Sequence, residues 1–124
     1  MQYYKTTITA VGPEVEALLD GGVLILYADG APAELAEVSV LHQVEQQADS
    51  TPPVGSLLRV GQVEAVVTAV GETAWNKVSE LGHVVINFNG EDVAGRPGEI
   101  CVEPVNIGAL QAQLSAGASI ELVF

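Results

Sequence analysis

Residues 37–45, EVSVLHQVE, alternate apolar and polar side chains along most of their length, which is the period of a β-strand. On that reading Val38, Val40, His42 and Val44 share one face, and Ser39, Leu41, Gln43 and Glu45 share the other. His42 therefore projects from a row of valines. An imidazole in that setting is either a hydrogen-bonded structural residue or a poised nucleophile, and strand grammar leaves both readings open. The only other histidine, His83, begins a second predicted strand.

Working outward, residues 3–11 (YYKTTITAV) and the continuous apolar run 23–28 (VLILYA) read as strands. Between them Pro13 opens a short helix that Gly21-Gly22 stops. DGAPAEL (29–35) reads as a turn or irregular link, and QQADSTPPVGS (46–56) as a loop. SLLRV and VEAVVTAV form a hairpin about Gly61-Gln62. Residues 71–82 carry Thr73, Trp75, Val78 and Leu81 at helical spacing and end on Gly82. HVVINF (83–88), EICVEPV and the closing SIELVF are strands, with a short helix over 107–115. Trp75 and the lone Cys101 read as core residues. The pattern predicts an all-β class with short helices, about seven strands in one domain spanning 1–124, closed as a β-barrel or stacked as a sandwich. Crossover helices long enough for an alternating α/β plan are missing from the pattern.

Hydrophobic residues make up 48% of the 124, enough for a real core. The net charge is −12, with only four lysines and arginines. That argues against ordinary nucleic-acid binding and disfavours anionic lipid, while permitting fast encounter with a basic protein or simply keeping a small domain soluble. One cysteine gives no internal disulfide, and a cytoplasmic setting suits the composition. Motifs for a P-loop, a dinucleotide fold, a nucleophile elbow or a zincin site are lacking, and His42 and His83 have no metal-ligand spacing. Neither a cofactor nor a metal is expected.

From residue 53 to 103 the order of short motifs becomes specific: TAVG (68–71), LGHV (81–84), F-x-G (88–90) and PG (97–98) before a strand. Upstream, YKTTIT (4–9), DGAPAEL (29–35) and VLHQ (40–43) continue the series. In this succession the chain resembles the enzyme IIA component of the glucitol/sorbitol phosphotransferase system. The resemblance implies a phosphocarrier that accepts a phosphoryl group from the carrier protein HPr on a histidine and passes it to the IIB part of a membrane IIB/IIC polyol transporter. It places the phosphorylated histidine at His42 and a second site histidine at His83. Val44 stands where some members carry another histidine. A homodimer is also expected to be within reach, through exchange of SIELVF. Two other readings remain: a non-catalytic acidic β-domain acting as a regulatory or interaction module, and a small-ligand or metal-binding barrel.

Overall fold

The computed structural model describes residues 1–124. Its element order is β1 (Gln2–Val11), α1 (Val15–Asp20), β2 (Val23–Ala28), α2 (Ala33–Ala36), β3 (Val40–Gln47), β4 (Leu57–Val60), β5 (Val63–Val70), α3 (Ala74–Leu81), β6 (Val84–Asn87), β7 (Glu99–Val102), α4 (Ile107–Gln113) and β8 (Ser119–Val123). The strands close into a barrel in the order β1-β3-β2-β6-β7-β5-β4-β8, with β8 returning to β1. Closure removes every exposed sheet edge. The barrel or sandwich expected from the sequence is thus a closed barrel, and it has eight strands where the pattern indicated about seven.

Two pairs, β2/β3 and β6/β7, run parallel. The link from β2 to β3 contains α2, a single helical turn inside the stretch expected to be irregular. Pro32 at its N-cap presents an extended φ/ψ, so the sequence reads locally as a turn even though Ala33–Ala36 coil. The strand read over 37–45 correspondingly starts later, at Val40. Glu37 to Ser39 are instead folded back on β1: the Gly12 and Glu14 amides donate to the carbonyls of Ser39 and Glu37 at 3.0 and 2.9 Å.

Alternation sends Leu24 and Leu26 of β2, Val40 and His42 of β3, and Ile8 of β1 into the interior. The row of valines about His42 is only partly realised. Val40 is fully buried, while Val44 sits near the rim and is 38% exposed. Trp75 and Cys101 are buried, as expected for core residues. In the 4–5 hairpin Gly61 takes φ 57° at the first central position, which a II′-type turn assigns to glycine. The remaining interior void is about 20 Å³ and lined only by apolar side chains. A bound small molecule needs a pocket of roughly 300 Å³ or more, so this barrel is packed and does not enclose a ligand. No helix is long and apolar enough to cross a membrane.

Candidate functional site

Helix α3 fixes one side of the site. Its apolar face buries Ala74, Trp75 and Val78. It is tied to the end of β3 by the Trp75 indole, which donates to the Ala48 carbonyl at 3.0 Å, and by Gln47, which donates to the Ser79 hydroxyl at 2.6 Å. The helix ends on Gly82 at φ 60°. The Gly82 amide bonds the Val78 carbonyl at 2.9 Å, the single bond of an αL stop, and the His83 amide reaches back to the Lys77 carbonyl at 3.3 Å. A side chain on Gly82 would be strained at this φ, and its Cβ would lie 2.7 Å from the Ala28 Cβ. Glycine is therefore required both by the turn and by the close approach of β2.

This stop leaves the Gly82 carbonyl free, and His42 uses it. His42 Nε2 lies 2.6 Å from Gly82 O, and Nδ1 lies 2.6 Å from the Thr6 hydroxyl. The ring is fully buried, with 0% exposure. Thr6 reaches it because β1 and β3 pair with Ile8 opposite His42 and Thr6 opposite Val44, so Thr6 is the diagonal neighbour on the same inner face. Register shifts between Lys5 and Thr6 and between Ile8 and Ala10 flank this stretch of β1. Such bulges re-aim side chains. The Tyr4 ring meets the imidazole edge-on at 6.2 Å between centroids.

The tautomer follows from the partners. A carbonyl can only accept, so Nε2 carries the proton, and in the neutral ring Nδ1 accepts from the Thr6 hydroxyl. Burial holds the His42 pKa below its ordinary value; the Gly82 bond and the charge of Asp29 oppose this only in part. The sign for stability is fixed by that direction. Below the ordinary histidine value of about 6.5 the unfolded chain takes up a proton that the folded chain resists, so stability falls as pH drops through that window and is fully present above it. In urea titrations from pH 7 downward, His42→Gln is expected to lose less stability than wild type below about pH 6.5. Parallel slopes for the two proteins would contradict the assignment.

His83 lies on the other side of the wall. Along β6, Val84 and Ile86 point inward, so His83 just before them points out. Its Nδ1 is 3.0 Å from the Leu26 carbonyl and must donate there, and its ring lies tilted on Tyr27 with centroids 4.9 Å apart. The structure thus brings the two histidines to adjacent segments, joined through Gly82, without a hydrogen bond between their rings. Sequence reasoning had singled out both histidines. It missed Thr6, Tyr4 and the Gly82 carbonyl; the alternation of YKTTIT does place Tyr4, Thr6 and Ile8 on one face, and only the strand pairing was hidden.

Beside Gly82 opens a groove of about 470 Å³ lined by Tyr27, Ala28, Asp29, Val44, Ser79 and Gly82 among others. None of its residues is a lysine or arginine, while Asp29 and Glu80 are acidic. No group of three or more histidine, cysteine or acidic residues is arranged to hold a metal ion.

The family model for "PTS system glucitol/sorbitol-specific IIA component" matches residues 3–121. The glucitol/sorbitol-specific EIIA components of Shigella flexneri and of Escherichia coli (strain K12) are each 37% identical to the chain over 99 residues, covering 80% of this chain and 80% of theirs. Among solved structures, a PTS system IIA component from Enterococcus faecalis V583 superposes with a TM-score of 0.74, over 97% of this chain and 99% of that one. At 18% identity, this last likeness speaks for the fold.

Proposed function

The chain belongs to the glucitol/sorbitol-specific IIA components of the phosphotransferase system, phosphocarriers by family, and from that premise we propose that His42 is the residue that carries the phosphoryl group. The observation that supports this choice is the geometry of its ring. Nδ1 faces the sealed interior at Thr6, whereas Nε2 faces Gly82, which itself lines the groove. Nε2 is the nitrogen a donor can reach once the Gly82 carbonyl lets go. Burial favours the neutral ring, which carries one lone pair, and attack at Nε2 requires the tautomer that places it there. In the transfer the Nε2–P bond forms as the donor's bond to phosphorus breaks, and the donor atom keeps that bond's electron pair.

The donor fitting this role is HPr, and the acceptor is the IIB part of an IIB/IIC glucitol- or sorbitol-type transporter, at whose cytoplasmic face the protein works. Since the groove offers no cation, the partner must supply positive charge around the phosphoryl group. The net charge of −12 suits that division. Transfer from HPr is expected to slow by about tenfold between roughly 50 and 500 mM salt, mainly through slower association. Stopped-flow rates independent of salt would remove the electrostatic docking.

His83 is proposed to contact the phosphoryl oxygens in the opened site. The barrel draws its strands from Gln2 through Val123, which supports reading residues 1–124 as one IIA domain. A homodimer by exchange of β8 requires the barrel to open, because β8 is hydrogen-bonded to both β1 and β4. The decisive experiment incubates the protein with phosphoenolpyruvate, the general phosphotransferase enzyme and HPr, then maps acid-labile phosphate by mass spectrometry. Phosphate on His42 is the expected result, and phosphate elsewhere refutes the assignment.

A further inference from the structure

Transfer at His42 Nε2 meets an obstacle in the ring's resting state. That nitrogen holds the proton that Gly82 O accepts, so its lone pair is not available. Before attack the ring must become the other tautomer, with the proton on Nδ1. Nδ1 is sealed inside the barrel, and the one polar side chain bonded to it there is Thr6, itself 0% exposed. A carbonyl or carboxylate at this position would serve only the Nδ1–H form, and an aliphatic side chain would serve neither. A hydroxyl serves both, because it donates and accepts.

Behind Thr6 stands a second hydroxyl. Tyr4 Oη is buried and has no settled hydrogen-bond partner. Burial pushes the Tyr4 phenol far up, and the neighbouring Thr6 hydroxyl offsets part of that push. Tyr4 and Thr6 are two residues apart on β1 and face the same way. An unpartnered buried hydroxyl is costly unless it has a use. Resting on the reading of His42 as the phosphoryl carrier, we propose that Thr6 is a positioning residue that lets His42 change tautomer, with Tyr4 Oη accepting the hydrogen bond that the Thr6 hydroxyl turns away from the ring.

In the resting ring the Thr6 hydroxyl donates to Nδ1. When Gly82 releases Nε2 and the site opens, Nε2 gives its proton to water and Nδ1 takes one from water admitted past the ring, so the ring's proton count is unchanged. The Thr6 oxygen then accepts from Nδ1–H, and its own hydrogen swings to Tyr4 Oη. Tyr4 Oη, which has no partner in the resting structure, closes on Thr6 to accept it. Phosphorylated His42 is held in the same way, with Nε2 bonded to phosphorus and Nδ1–H donating to Thr6.

Thr6→Val, close in shape but without a hydroxyl, is expected to slow phosphorylation of His42 on the order of 10²-fold, the scale of losing a tautomer-setting partner. Thr6→Ser should recover the rate to within about tenfold of wild type, since the hydroxyl returns while one methyl is lost. Nitrogen-15 NMR of the ring supplies a readout that packing alone does not move. Wild type should show Nε2–H when free, and phosphorus on Nε2 with Nδ1–H when phosphorylated. A wild-type rate for Thr6→Val, a Thr6→Ser variant as slow as Thr6→Val, or phosphate on Nδ1 of His42 would each overturn the proposal. Should Thr6→Val fail to fold, the serine rate and the wild-type spectra still decide it. Phosphate mapped to a residue other than His42 in wild type marks instead the failure of the underlying assignment.

Discussion

His42→Gln is expected to remain folded and to accept no acid-labile phosphate, with labelling below about a hundredth of wild type. Glutamine is the informative replacement because its amide can repeat both contacts of the ring. The side-chain carbonyl can accept from Thr6 and the N–H can donate to Gly82 O, so neither buried partner is abandoned. His42→Ala is a harsher change than its chemistry suggests. It empties a fully buried site and strips the Thr6 hydroxyl and the Gly82 carbonyl of their partner at once. A loss of about 2–4 kcal/mol in urea unfolding is expected for alanine, against about 1 kcal/mol for glutamine. Radiolabel from phosphoenolpyruvate through HPr, read beside the unfolding curves, separates a missing nucleophile from a missing fold. A folded His42→Gln that still takes label on a histidine would move the acceptor to His83, whose Nε2 has no partner within the chain.

Burial has a kinetic consequence. A ring with no exposed surface and both nitrogens engaged cannot meet a donor in the closed state, so the transfer proposed for His42 requires an opening at Gly82. The observed rate is then the intrinsic rate multiplied by the open fraction. On the proposed assignment the same burial shields the phosphorylated ring from water, which suits a carrier that must deliver its group to a partner and not to solvent.

The sequence exposes the parts of this site that are local and conceals those that depend on pairing. The apolar run 23–28 becomes β2 with the same limits, because six consecutive apolar or aromatic residues have no competing local structure. Alternation about His42 correctly turns it inward, and Gly82 is recognisable as a helix stop. Closure is different: period-2 patterns describe a barrel and a sandwich equally well, since each buries one face of every strand. The Thr6–His42 bond joins residues 36 apart through a bulged register that no local rule predicts. The same holds for His83. Its place in LGH marks it only through the resemblance, and the strand phase that turns Val84 inward sends its ring to the outer wall.

That outward placement sharpens what His83 can contribute. Its Nδ1–H is committed to the Leu26 carbonyl, so the neutral ring offers only an acceptor at Nε2, which would repel phosphoryl oxygens. To donate to them without leaving Leu26 the ring must carry a second proton. His83→Ala is therefore expected to slow transfer on the order of 10²-fold, the scale of one lost donor to a developing anion. His83→Gln keeps an N–H, so its deficit should be smaller than alanine's. HPr affinity should stay within about twofold in both variants, because docking draws on a surface much wider than one ring. Rapid-quench transfer rates, paired with titration of HPr binding, test each part. Equal deficits for His83→Ala and His83→Gln would remove the donor role and leave a packing role on Tyr27. A wild-type rate for both variants would remove His83 from the transfer altogether.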